Sequence, residues 1–147
     1  MRILAIDYGQ KRIGLAVSDP LGYTAQGIET ILNVGKKQVL ASLSKICKDY
    51  QVTQVVIGFP VNMNGSFGPK ADEITKLIPI LEGELHLPVK TWDERLTSRA
   101  ADRLMIEEGL SRKRQKENSD RLAATLILQT YLESLRKTNP IEEYSDF

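Results

Sequence analysis

The sequence predicts an α/β protein with a five-stranded mixed sheet, in the strand order 3-2-1-4-5, flanked by helices. Three apolar segments come first and are separated only by short turns, which is typical of antiparallel strands. From residue 36 onward, helical and strand patterns alternate, which indicates parallel strands joined by crossovers. The fourth strand is short, apolar and follows a helix, so we place it parallel to the first strand and beside it.

The first three strands should form an antiparallel meander. The first strand is the apolar run at residues 3–6, which stops at Asp7 and leads into a tight turn that contains Gly9. The second strand covers residues 12–18 and the third covers residues 27–32. A proline and a glycine in the segment between these two strands favour a reversal of the chain.

The middle of the chain alternates between helical and strand periodicity. Apolar residues at helical spacing predict a helix over residues 36–50, and the following apolar run predicts the fourth strand at 53–58. A second helix is predicted over residues 69–85, where Pro79 should kink or split it. The fifth strand is predicted at residues 88–92.

The last third of the chain should be mostly helical. Capping residues predict a helix from position 97 or 98 to 108, with Gly109 as its stop. The basic segment 111–117 is interpreted as a mobile loop, and the last helix is expected over residues 118–137. We therefore expect one domain over residues 1–137 and a polar, frayed tail at 138–147.

Composition excludes several classes of protein. Hydrophobic residues make up 41% and charged residues 27% of the chain, which is ordinary for a soluble globular protein. No apolar run approaches the roughly 20 residues that a membrane span requires, and the first residues lack the zones of a signal peptide. The single cysteine, Cys47, excludes an intrachain disulfide and should be a core thiol. We expect a cytoplasmic protein without a membrane partner.

Three acidic residues should meet at one edge of the sheet. Asp7 and Glu94 follow the first and fifth strands, which are parallel to each other, and Asp120 lies at the start of the last helix. Each has a simpler explanation in isolation: a turn, a surface ion pair, or a residue favoured by the helix dipole. Together they would repel one another unless a divalent cation neutralised them, and oxygen ligands favour Mg²⁺ or Mn²⁺. Two such ions could activate a water and stabilise the leaving oxygen of a phosphodiester.

Basic and amide side chains near these acids are candidates for contact with a nucleic-acid substrate. The net charge of +1 is uninformative, but basic residues cluster after the acids, which favours a phosphate-binding surface over an ordinary solvated face. Turn formation alone would explain the two asparagines, and Trp92 is expected in the core and not as a base-stacking platform. The candidates are Lys11, Arg12, Asn62, Asn64, Arg95, Arg112, Lys113, Arg114 and Lys116.

Four short motifs give the sequence a resemblance to a known family. They are D-Y-G with R-I-G-L-A at residues 7–16, G-F-P with N-M-N-G at 58–65, D-E-R-L-T at 93–97, and D-R-L-A-A at 120–124. In this order and at these distances they resemble the YqgF (RuvX) family. Its members are small bacterial proteins with a ribonuclease H-like fold related to the RuvC resolvases.

The resemblance implies a function and a set of site residues. It implies that Asp7, Glu94 and Asp120 are the metal-binding catalytic acids of a nuclease that processes the 5′ end of pre-16S ribosomal RNA. An older assignment for the family is resolution of Holliday junctions, which are four-way DNA. RuvC-type sites usually present four acids, whereas only three can be assigned in this sequence. The sequence therefore leaves open whether the site binds one metal ion or two.

Two other classes of function stay open on the sequence alone. Asp7, Gly9 and Gly14 also resemble the first phosphate loop of the actin and sugar-kinase group, but those enzymes clamp ATP between two lobes and 147 residues supply one. A non-catalytic RNA-binding factor of ribosome assembly that retains an acidic pocket is the other alternative. Symmetric cleavage of a DNA junction would require a dimer, and the sequence allows a monomer or a weak homodimer.

Overall fold

The computed structural model describes residues 2–61, 64–96 and 112–138, with side chains described for residues 122–136 of the last segment. Five strands form one sheet in the order β3-β2-β1-β4-β5, so the predicted order is confirmed. The strands are β1 (Ile3–Tyr8), β2 (Arg12–Ser18), β3 (Ala25–Leu32), β4 (Gln54–Phe59) and β5 (Val89–Asp93). The helices in the described ranges are α1 (Lys36–Asp49), α2 (Pro69–Leu85) and α3 (Arg112–Thr138).

Strand β1 lies at the centre of the sheet. It pairs antiparallel with β2, and β2 pairs antiparallel with β3, which completes the predicted meander. On its other side β1 pairs parallel with β4, from Ile3 opposite Gln54 to Ile6 opposite Ile57. Strand β5 is parallel to β4 on the outer side. The carboxyl ends of β1, β4 and β5 therefore meet at one edge of the sheet.

Each face of the sheet covers its own hydrophobic core. Leu4 and Ile6 of β1 face the core that includes residues of α1 and α2, whereas Ile3 and Ala5 face the core that includes α3. Because side chains alternate between the faces of a strand, Asp7 lies on the α3 face. This face is where a side chain from α3 can meet the carboxyl edge of the sheet.

Helix α3 runs antiparallel to β4. Its Ile127 packs on Gly58 near the end of β4, whereas its Tyr131 hydroxyl accepts a 2.8 Å hydrogen bond from Nε2 of Gln54 at the start of β4. Residues earlier in α3 than Ile127 therefore extend toward the carboxyl edge of the sheet.

Of the predictions about the helices, the splitting of the second helix at Pro79 and the loop at the basic segment are wrong. Helix α2 continues from Pro69 to Leu85 without a break at Pro79, which is exposed on the solvent side. A proline on the solvent side is tolerated because surface helices bend with their convex side toward water. Residues 112–117 of the basic segment are not a loop, because α3 begins at Arg112 and not at position 118. This segment has no glycine or proline, and its lysine, arginine and glutamine residues are good helix formers.

The other strands and helices predicted within the described ranges are confirmed, apart from shifts of one or two residues at element ends. Cys47 is a residue of α1 and is buried in the core. Its burial raises the pKa of the thiol to about 11. None of the described helices is both long and apolar enough to span a bilayer. The helix expected over residues 97–108 and the tail beyond 138 lie outside the described residues.

Ser18 offers a test of how the central strand is held. Its Oγ accepts a 2.8 Å hydrogen bond from the backbone N–H of Ile3, and both residues are buried. Ser18→Ala should lower the free energy of unfolding by about 1–3 kcal/mol, because the buried N–H loses its partner. Urea denaturation measures this difference. The control Ser42→Ala, at an exposed position of α1, should not destabilise the protein, since alanine is the better helix former. Equal losses in the two variants would contradict the assignment.

Candidate active site at the carboxyl edge of the sheet

Asp7 lies between two glycines on the α3 face of the sheet. Strand β2 places Gly14 directly opposite it, and continuing the β1–β4 register by one residue puts Gly58 beside it on the other side. Both glycines are buried, whereas Asp7 is half-buried. The residues that β2 and β4 place next to this carboxylate therefore have no side chains of their own.

Glu94 approaches the same place from the end of β5. Its backbone N–H donates a 3.0 Å hydrogen bond to the carbonyl oxygen of Phe59, which extends the pairing of β5 with β4. Its side chain turns back over β4, so that Oε1 lies 2.8 Å from the position that a Cβ on Gly58 would occupy. The structure therefore brings Asp7 and Glu94 to the same edge and the same face.

Asp93 differs from Glu94 although the two are adjacent. Asp93 lies opposite Phe59, which packs against the core on the α1 and α2 face, whereas its neighbour Trp92 packs against the core on the α3 face. Strand alternation therefore turns Asp93 away from Asp7. Of the two acids in the D-E-R motif, only Glu94 shares the face of Asp7.

Arg95 is held by an ion pair with Asp93. The Nη2 and Nε atoms of Arg95 lie 2.8 and 3.0 Å from Oδ2 of Asp93, and the backbone N–H of Arg95 donates to Oδ1 at 2.9 Å. The side-chain hydrogen bond from Arg95 lowers the pKa of the Asp93 carboxyl and raises the pKa of the guanidinium. A substrate phosphate would have to compete with Asp93 for this arginine.

The turn between β1 and β2 presents two predicted contact residues at the same edge. Lys11 and Arg12 are exposed there. The side chain of Asn33 donates a 2.9 Å hydrogen bond to the carbonyl oxygen of Gly9, and its backbone N–H donates to the carbonyl oxygen of Lys11 at 2.9 Å. A Cβ on Gly9 would overlap the carbonyl oxygen of Arg12, so this tight turn requires glycine. No pattern in the sequence indicated this role of Asn33.

The other predicted contact residues are placed less directly. Oδ1 of Asn64 accepts hydrogen bonds from the backbone N–H and the hydroxyl of Ser66, so this asparagine forms a turn. Asn62 lies outside the described residues. Trp92 is a core residue as predicted, since its Nε1 donates a 2.9 Å hydrogen bond to Thr130 and its ring packs edge-to-face on Tyr131.

The third acid and the basic cluster lie in the part of α3 where only the backbone is described. Asp120 falls within the helix, and the helical repeat puts position 120 on the same stripe as Ala124 and Ile127, toward the carboxyl edge. The positions of Arg112, Lys113, Arg114 and Lys116 are also helical. Among the described side chains, no group of three or more acids, histidines or cysteines is arranged to hold a metal ion.

Comparison with known proteins identifies the family. The family described as "RuvX: Holliday junction resolvase" matches residues 1–134. This chain belongs to the RuvX family. A relative from Clostridium novyi (strain NT), named "Putative pre-16S rRNA nuclease", is 48% identical over 135 residues, which cover 92% of this RuvX chain and 100% of the relative. A relative of the same name from Syntrophomonas wolfei is 49% identical over 133 residues, which cover 90% and 94%.

Solved structures of resolvases share the fold of the RuvX chain. Thermus thermophilus RuvC in complex with a Holliday junction superposes with a TM-score of 0.56 at 16% identity, and the match covers 86% of this chain and 91% of RuvC. The Fowlpox virus resolvase with Holliday junction DNA gives a TM-score of 0.55 at 18% identity over 92% and 99% of the two chains. The predicted ribonuclease H-like fold is thereby confirmed.

The ion pair between Asp93 and Arg95 can be tested by titration. Since the pKa of Asp93 is lowered in the fold, its stabilising effect is present at neutral pH and is lost as the pH falls through that lowered pKa. In Arg95→Met, the carboxyl should titrate closer to its ordinary value of 3.8, as measured by the pH dependence of its NMR signal. Asp19 is the control, because the backbone N–H of Thr24 is the main cause of its lowered pKa. A shift of Asp19 as large as that of Asp93 would contradict this assignment.

Proposed function

We propose that this chain is a metal-dependent nuclease that hydrolyses phosphodiester bonds of structured nucleic acid. The observation that carries the proposal is the meeting of Asp7 and Glu94 on one face of the carboxyl edge, in a chain that belongs to the RuvX family. Two carboxylates converge there beside an exposed turn that carries Lys11 and Arg12. Acids next to basic residues suit a reaction at a phosphate.

The donor groups present fit a hard divalent cation. Asp7 and Glu94 offer only oxygen ligands, and carboxylate oxygens are what Mg²⁺ and Mn²⁺ prefer. We assign these two residues and Asp120 as the ligands. When bound, the ion would supply an activated water and positive charge for the developing phosphate charge.

The residues of the chain itself hold and orient the substrate. Asp7, on the central strand of the sheet, would hold the ion together with Glu94 and Asp120. Lys11 and Arg12 neutralise phosphates next to the scissile bond, and the hydrogen bonds from Asn33 keep their turn in place. The basic positions 112–116 of α3 extend this contact surface along the substrate.

We propose the 5′ leader of pre-16S ribosomal RNA as the substrate. Support comes from the names of the relatives at 48% and 49% identity, which match nearly the whole chain. Four-way DNA is the second candidate, favoured by the family description and by the likeness to two resolvases solved with Holliday junctions. Parallel assays on both substrates separate the candidates, and symmetric junction cleavage would also require a dimer, which ultracentrifugation detects. A protein that binds RNA without cleaving it would favour the assembly-factor alternative.

Substitution of the acids tests the proposed chemistry. Asp7→Asn and Glu94→Gln should each lower kcat on a pre-16S leader RNA by on the order of 10³-fold, because each variant loses a ligand charge but keeps its shape. Circular dichroism should show an intact fold. Asp93→Asn is the matched control, since this acid faces away from the site, and it should retain most of the activity. Wild-type rates in Asp7→Asn would refute the proposed site.

Removal of divalent ions tests the metal requirement. Incubation with excess EDTA should abolish cleavage without unfolding the protein, and Mg²⁺ or Mn²⁺ added beyond the chelator should restore it. Cleavage is followed on the same leader RNA by gel electrophoresis. Activity that persists in EDTA at the wild-type rate would show that the acids act without a metal.

A further inference from the structure

Gly58 occupies a position in β4 where a glycine is unfavourable for the strand itself. It is buried between Ile57 and Phe59, in a strand that is otherwise apolar along its centre. A glycine inside a strand has no side chain to pack and loses more backbone entropy on folding than any other residue. Such a glycine often marks a place where another group comes close to the backbone.

Two side chains occupy the space above Gly58. A Cβ built on this residue would lie 2.8 Å from Oε1 and 3.1 Å from Cγ of Glu94, and 2.8 Å from Cδ1 of Ile127. Carbon atoms in ordinary contact are about 3.5–4.0 Å apart, so any other residue at this position would displace Glu94, Ile127 or both. The bare Cα of Gly58 forms a notch that receives the Glu94 carboxylate.

We propose that Gly58 is a positioning residue, which lets the Glu94 carboxylate lie against β4 next to Asp7. The catalytic part of this inference rests on the function proposed above. The backbone of Glu94 is fixed by its hydrogen bond to the carbonyl oxygen of Phe59, so the notch determines where the rest of its side chain can lie. Ile127, which is fully buried on α3, shares the notch with it.

A shift of the carboxylate should affect the reaction more than substrate binding. Continuing the β1–β4 register by one residue puts Gly58 opposite Asp7, so a methyl group on Gly58 would displace the Glu94 carboxylate at this edge of the sheet. Misplacement of a catalytic group by about 1 Å can cost about 10²-fold in rate. Contacts with the rest of a long nucleic acid would persist, so kcat should fall whereas KM should change little.

The experiment compares four variants with the wild type. Gly58→Ala introduces both clashes, and Ile127→Val removes the Cδ1 atom that causes one of them. The double variant Gly58→Ala/Ile127→Val therefore loses the clash with Cδ1 of Ile127 and retains the clash with Glu94. Gly83→Ala is the matched control, because a Cβ at this position of α2 would have no neighbour within 4 Å. Thermal unfolding, kcat, KM, the Mg²⁺ concentration for half-maximal cleavage and crystal structures of the metal-free proteins are measured.

We expect the double variant to separate packing from positioning. Its Tm should return to that of Ile127→Val alone, while its kcat stays about 10²-fold below that of Ile127→Val and its Mg²⁺ requirement rises. Its crystal structure should show the Glu94 carboxylate moved away from β4. Gly83→Ala should cleave like the wild type.

Two results would overturn the inference. Recovery of both Tm and kcat in the double variant would mean that Gly58 only makes room for Ile127. An unmoved Glu94 carboxylate in the crystal structure of the double variant would exclude positioning even if no variant, the wild type included, cleaves RNA. That second result does not depend on the nuclease proposal. Conversely, an inactive wild type together with a displaced Glu94 in the double variant would refute the proposed function but not the positioning by Gly58.

Discussion

Parallel pairing between β1 and β4 governs where the acidic side chains of this protein lie. Residues 3–6 of β1 are fully buried, with alternate side chains in the two cores on either face of the sheet. A shift of the register by one residue would turn each of these side chains to the opposite face of the sheet. Both cores would then be destabilised, because each is packed around one set of side chains. The same register carries Asp7 to the α3 face and sets it beside Gly58. The site therefore depends on a constraint that is hydrophobic in origin.

Strand alternation then places the two neighbouring acids of the D-E-R motif on opposite faces of the sheet. Asp93 faces the α1 and α2 side and forms an ion pair with Arg95, whereas Glu94 returns to the α3 side, on which Asp7 also lies. Residues that are adjacent in sequence can thus belong to different surfaces. Three consecutive residues, 93–95, thus form an ion pair on one face of the sheet and offer a candidate metal ligand on the other.

Much of the geometry at this edge comes from small or missing side chains. Gly58 leaves the space that the Glu94 carboxylate and Ile127 occupy, and Gly9 permits the tight turn that presents Lys11. Asn33 fastens this turn from the end of β3. Glycines lower the stability of strands, so their presence at the carboxyl edge indicates that the space there serves the site.

The sequence by itself determined the strand order, most element bounds to within two residues and the placement of Asp7 and Glu94 at one edge of the sheet, because periodicity and turn residues are local signals. It misjudged the segment before Asn118, where a polar run of good helix formers resembles a loop when no partner is visible. Only the tertiary structure decided that Asp93 forms an ion pair with Arg95 and that the Glu94 carboxylate packs on Gly58. The Gly58 contact joins residues far apart in the chain, and the face of Asp93 is set by its pairing with β4; both depend on strand register and packing, which no local pattern encodes.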